Sequence, residues 1–117
     1  MKQHRKKVLI VMSSFEGVAS ELEKDAARIA DPVAQVPGLI WKLWLENPAS
    51  GTVGGVYLFE SEEALTRFVD GPIAAGINGH PDLRDVSMRV FDVMHAPSLT
   101  TRAPLNLPIT MQFDVGL

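Results

Sequence analysis

Pro37-Gly38-Leu39-Ile40-Trp41-Lys42-Leu43-Trp44-Leu45-Glu46, then a Pro/Ser/Gly loop, then Val53-Gly54-Gly55-Val56-Tyr57-Leu58-Phe59-Glu60 and Ser61-Glu62-Glu63-Ala64-Leu65 form one unbroken run. It reads as strand, loop, strand and helix start. Both Trp and the only Tyr lie within it, so the large amphipathic side chains sit on two strands expected to pair. On the first strand the period of two puts Leu39, Trp41, Leu43 and Leu45 on one face and Ile40, Lys42, Trp44 and Glu46 on the other. Burying one Trp removes roughly 200 Å² from water, worth about 5 kcal/mol gross, so both faces want cover. On the second strand Gly54 and Gly55 break the side-chain row. A bend is the expected meaning of such a pair, with close approach of a backbone or ligand as the alternative.

Working outward, Val8 to Met12 is a short apolar run expected as a strand buried on both faces. Ser13 to Gly17 reads as a turn. Val18, Leu22, Ala26, Ile29 and Val33 then recur at helical spacing, and Pro32 is expected either to end that helix near Ala30 or to open a fresh turn capped by Asp31. Ser61 caps a second helix whose stripe is Leu65, Phe68 and Val69, with Glu62 and Glu63 at the positive end of its dipole. Residues 73–84 read as a helical turn followed by a loop. Asp85 to His95 alternates as a further strand with two mainly apolar rows. Pro97, Pro104 and Pro108 make the following stretch extended and irregular, while Ile109, Met111, Phe113 and Val115 alternate as a strand-like C-terminal arm.

The order strand, helix, strand, strand, helix, strand is the α+β ferredoxin-like split βαβ sandwich, with a four-stranded antiparallel sheet. Residues 1–7 are expected as a basic, disordered start, 8–95 as the domain and 96–117 as the arm. Two helices cover one sheet face and not both, so a second copy is the expected cover and a dimeric αβ barrel the expected assembly. A net charge of −3 gives no reason to expect a nucleic-acid partner. No run approaches the ~18 apolar residues of a membrane helix. The basic start is followed by too short an apolar stretch for export, and there is no Cys, so a cytoplasmic setting is expected. No metal-binding motif, GxGxxG, P-loop or serine elbow occurs, and no cofactor is expected.

Pro37 to Trp44, Gly54-Gly55-Val56-Tyr57-Leu58-Phe59, the helix start from Ser61 to Ala64, and Arg89-Val90-Phe91-Asp92-Val93 together resemble the YdhR-type monooxygenase family over roughly residues 8–95. The resemblance implies a dimeric αβ barrel, in a superfamily that includes antibiotic-biosynthesis monooxygenases and haem-degrading enzymes. It also implies a cofactor-independent oxygenation of a small hydrophobic phenol- or quinol-like compound, for which the protein supplies a dry pocket, a base and hydrogen-bond donors. On that reading Trp41, Trp44, Tyr57 and Phe59 wall the pocket, Arg89 binds an anionic group or pairs with a carboxylate, and His80, His95 or Asp92 takes a proton. Core packing of the aromatics and surface placement of the histidines are the plainer alternatives. Two other functions fit the same residues. One is a non-catalytic dimeric module that binds a small apolar molecule. The other is a haem-binding relative with His80 as axial ligand, against which stands the absence of Asn from the first strand.

Overall fold

The structure, a computed structural model, describes residues 5–106. Its elements are β1 (Lys7–Phe15), α1 (Ala19–Ala34), β2 (Leu39–Asn47), β3 (Thr52–Phe59), α2 (Glu62–Val69), α3 (Pro72–Asn78), β4 (Leu83–Asp92) and α4 (His95–Thr100). The four strands form one antiparallel sheet in the order β2-β3-β1-β4, the ferredoxin-like arrangement. The proposed arm over residues 109–115 lies outside the described residues. Among the described residues no helix is long and apolar enough to cross a membrane.

The core forms where α2 and α3 press on one face of the sheet. Leu9 and Val11 of β1 and Tyr57 and Phe59 of β3 meet Ala64, Leu65, Phe68 and Ala74 there, all buried. The Phe68 ring packs at 5.0 Å from Tyr57 and 5.5 Å from Phe59, the tilted geometry that ring quadrupoles favour. Ser61 caps α2 as its sequence requires, its Oγ accepting from the Ala64 N–H at 3.1 Å. Gly38 makes the turn into β2 at φ +82, and a Cβ there would stand 2.3 Å from the Ala64 Cβ. The Pro-Gly pair thus lets the β2 entry lie directly against the start of α2.

Several local expectations change. α1 runs through Pro32 to Ala34; the proline lies two residues from the end and costs one internal hydrogen bond there, not the whole last turn. β1 does not turn at Ser13 but continues to Phe15, with a register shift against β4 between Met12 and Ser14. There the buried Ser13 hydroxyl donates to the Arg84 carbonyl at 2.8 Å. The last strand, expected to reach His95, ends at Asp92, and residues 96–100, expected to be extended and irregular, belong with His95 to α4; Pro97 occupies its first turn, where a missing N–H leaves no helical bond unmade. The glycine pair of β3 is not a bend. Gly54 and Gly55 stay in register with both neighbouring strands, and they mark close approach: a Cβ on Gly54 would meet the Val11 carbonyl oxygen at 2.1 Å, and one on Gly55 the Lys42 Cε at 2.6 Å.

The other sheet face carries no helix layer. Across it run the rows Trp41, Leu58, Val8, Phe91 and Leu43, Val56, Ile10, Arg89. Leu43 is 55% exposed and Phe91 47%. The chain after α4 returns to this face, where the Trp41 indole N–H donates to the Pro104 carbonyl at 2.7 Å and Leu105 is buried.

Candidate functional site

α1 spends little of its apolar stripe on the core. Of its residues only Val33 is buried, while Leu22, Ala26 and Ile29 look onto a part-open cavity of about 620 Å³ between α1, α3 and the sheet. Such a volume is that of a small-molecule site. The floor is the helix-side row of the sheet: Lys42 and Trp44 of β2, Gly55 and Tyr57 of β3, Val11 and Ser13 of β1. Ile73, Ile77 and His80 close the side formed by α3 and the turn after it. The lining is therefore mostly hydrocarbon and ring, with a few polar groups at defined places.

Lys42 is the chemically distinctive one. Its side chain runs over Gly55, where any larger residue would collide with it, and carries Nζ to 3.3 Å from the Trp44 ring centroid and 4.5 Å from that of Tyr57. Among the described residues it forms no ion pair. Burial in this apolar setting pushes the amine down to about 8, while the negative faces of the two rings favour the charged form. Burial likewise pushes the Tyr57 phenol up to about 12, so the hydroxyl stays protonated and serves as a donor. An amine close to its titration point beside a neutral phenol is a proton acceptor and an anion partner in one place.

His80 lies at the rim. Its Nδ1 accepts the Asp82 backbone N–H at 3.0 Å, which in the neutral ring leaves the proton on Nε2, 4.0 Å from Asp25 Oδ2. Asp25 is also held by Arg28 at 2.5 Å. His80 therefore presents a donor to the cavity, not a free lone pair.

The residues singled out from sequence are not gathered in one place. Trp44, Tyr57 and His80 line the cavity. Trp41 does not: a bulge between Leu39 and Trp41 puts Leu39 on the helix side and Trp41 on the opposite face, bound to Pro104. Phe59 is fully buried in the core and Arg89 is exposed on the open face. Asp92 sits at the sheet end in contact with the Lys7 ammonium and 3.5 Å from Arg5. The bond from Lys7 holds its carboxyl below the usual carboxylate range, so it is an ion-pair partner away from the cavity. His95 begins α4 on the surface. Sequence reading passed over Lys42, Ser13 and Asp25. The signal for Lys42 was available: a single cation in the Ile40, Lys42, Trp44 row; the register pairs it with Tyr57 and sets Gly55, the partner of Trp44, diagonal to it.

The comparisons with known proteins bear on the fold and the family. The family model described as "Putative mono-oxygenase ydhR" matches residues 8–104. No curated protein matches the chain. Among solved structures, SnoaB, a cofactor-independent oxygenase from Streptomyces nogalater, superposes with a TM-score of 0.64 at 16% identity, covering 79% of this chain and 96% of that one. A protein of unknown function from Nitrosomonas europaea gives 0.66 at 18% identity over 80% and 93%. The haem-degrader MhuD from Mycobacterium tuberculosis, solved with two haems in its active site, gives 0.60 at 29% identity over 75% and 95%. Those structural likenesses carry the fold, and the family match over most of the length carries the kinship: the chain belongs to the ydhR mono-oxygenase family.

Proposed function

We propose that the cavity binds a small phenol- or quinol-like aromatic compound and that the protein oxygenates it without a cofactor. The observation that carries this reading is the Lys42 amine in an apolar cavity of about 620 Å³, flanked by Trp44 and Tyr57. The neutral amine takes the phenolic proton, and the ammonium so formed holds the phenolate beside the rings. The electron-rich ring then reduces dioxygen directly. In sum a phenol with a free para position and one O2 give a quinone and one water: the ring supplies four electrons, one oxygen atom enters it and the other leaves as water. Tyr57 donates to the developing oxygen anions, and the Leu22, Ala26 and Ile29 side of α1 keeps bulk water off the ring.

Oxygen uptake across a panel of phenols and naphthols tests the reading. The expected result is uptake that needs the protein, saturates with substrate and falls at least tenfold in Lys42→Met. Tight binding of the same compounds with no uptake would instead establish the non-catalytic binding module.

A haem reading draws support from the likeness to MhuD, but the residues present do not fit it. An axial imidazole ligates iron through an unprotonated nitrogen, and the backbone bond to His80 Nδ1 leaves Nε2 protonated. Haemin added to the protein is expected to leave the Soret band unshifted.

We further propose that the open sheet face pairs with that of a second copy, making a homodimer. Leu43, Leu45 and Phe91 stand out of that face, and an apolar surface of this kind is commonly a contact. Sedimentation equilibrium is expected to give twice the chain mass, and Leu43→Glu to give the monomer.

A further inference from the structure

The cavity presents a lysine amine that forms no ion pair with a carboxylate among the described residues, set against two rings and facing the open space beside it. From this placement we propose that Lys42 is a carbonyl-reactive site, which forms an imine with small aromatic aldehydes and ketones that enter the cavity.

Three features support it. Among the described residues the other lysines seen in ion pairs, Lys7 and Lys24, are engaged by Asp92, Glu62 and Glu21, whereas Lys42 Nζ contacts ring faces only, at 3.3 and 4.5 Å. The missing Cβ of Gly55 leaves the space in which the side chain lies across the neighbouring strand, and that path brings its nitrogen against the two rings. The rings of Trp44 and Tyr57 with the hydrocarbon of Ile73 and Ile77 offer an aromatic aldehyde a stacking place with its carbonyl next to the amine. Desolvation also keeps part of the amine neutral at ordinary pH, as the nucleophilic form must be.

The step balances without an oxidant or reductant. The amine lone pair adds to the carbonyl carbon to give a carbinolamine. One amine proton passes to the oxygen as the carbinolamine forms; that hydroxyl then takes a proton from solvent and leaves as water while the C–N bond becomes double, giving the protonated imine, which returns a proton to solvent when it becomes the neutral imine. The reaction reverses when water returns. Oxygen takes no part, so the inference stands apart from the oxygenase reading.

The test is reductive trapping on the full-length wild-type protein, without oxygen, using benzaldehyde and cyanoborohydride at pH 7.5, followed by peptide mapping. An amine at about 8 has a roughly two hundred-fold larger neutral fraction there than one at the ordinary lysine value. Label on Lys42 is expected to exceed that on each of the four other lysines at least tenfold. The N-terminal amine, neutral in the same range, is resolved by the mapping and serves as an internal standard. Benzyl alcohol is expected to suppress label at Lys42 and leave the N-terminus unchanged, and urea unfolding to abolish the preference. Label spread evenly over the lysines, or Lys42 protected while the others react, overturns the proposal. Lys42→Arg adds a second check: it keeps a cation against the rings, and the adduct at that position must vanish. Loss of labelling with intact oxygen uptake, or the reverse, tells the two proposals apart.

Discussion

Replacing Lys42 by methionine should make the protein more stable at neutral pH, and the gain should fade as the solution is made alkaline. Met keeps the unbranched stem that runs over Gly55 and gives up the charge. The amine is lowered from 10.5 to about 8 by desolvation, which at 1.36 kcal/mol per pH unit corresponds to about 3 kcal/mol for a fully enclosed group. Nζ faces a part-open cavity, and solvent screening reduces the cost to about 2 kcal/mol. The Trp44 contact at 3.3 Å offsets about 1 kcal/mol of that, leaving a net gain of about 1 kcal/mol for Lys42→Met at pH 7. Between about 8 and 10.5 the unfolded chain keeps a proton that the folded one has released, so wild-type stability rises with pH across this window. The variant lacks that slope. Tyr57 adds the opposite slope above 10, where the unfolded phenol ionises before the folded one at about 12, but it does so in both proteins and cancels in the difference. Urea unfolding at pH 7 and pH 9.5 measures the effect, the midpoint at pH 7 moving up by roughly 0.5 M at an ordinary m-value. A variant less stable at pH 7, or a gap that does not narrow at pH 9.5, refutes the assignment of Lys42 as a desolvated, uncompensated cation.

Ser61→Ala removes the N-cap of α2 and should cost about 1 kcal/mol in urea unfolding. Gly38→Ala places a side chain at φ +82 with its Cβ 2.3 Å from that of Ala64; a loss of about 1–3 kcal/mol is expected. Gly54→Ala meets the Val11 carbonyl oxygen and should open the sheet centre, whereas Gly76→Ala enters open space in α3 and should raise stability by about 0.5–1 kcal/mol; thermal melts of the pair separate the two. Asp92 is held below the usual carboxylate range by Lys7, so its contribution is present above 3.8 and disappears as pH falls through the depressed value. Asp92→Asn should accordingly flatten the acid limb of a stability–pH curve.

The chain states its fold more openly than its site, and the reason lies in two features of β2. Strand alternation is local, and with helix stripes and the Ser61 cap it was enough to order the elements and to separate Trp41 from Trp44. It does not say which face receives the helices, because the apolar rows of β1 and β4 look alike from both sides. The bulge at Ile40, which pairs Leu39 with Phe59 and Trp41 with Leu58, adds a half-turn of the alternation that no residue type announces. It splits the uniform apolar row 39, 41, 43, 45 between core and open face. The cavity is legible least of all, since it exists because α1 stands off from the sheet along Leu22, Ala26 and Ile29 and closes down only at Val33, a matter of how one helix lies and not of what it contains. Gly55 shows the same limit from the other side. Read along the chain it weakens a strand; read across the sheet, its missing Cβ is the space in which Lys42 lies against Trp44 and Tyr57. A site assembled from an absent side chain on one strand and a displaced charge on the next has no one-dimensional signature. The histidines and Asp92, whose chemistry is visible residue by residue, drew attention that the geometry gives to a lysine.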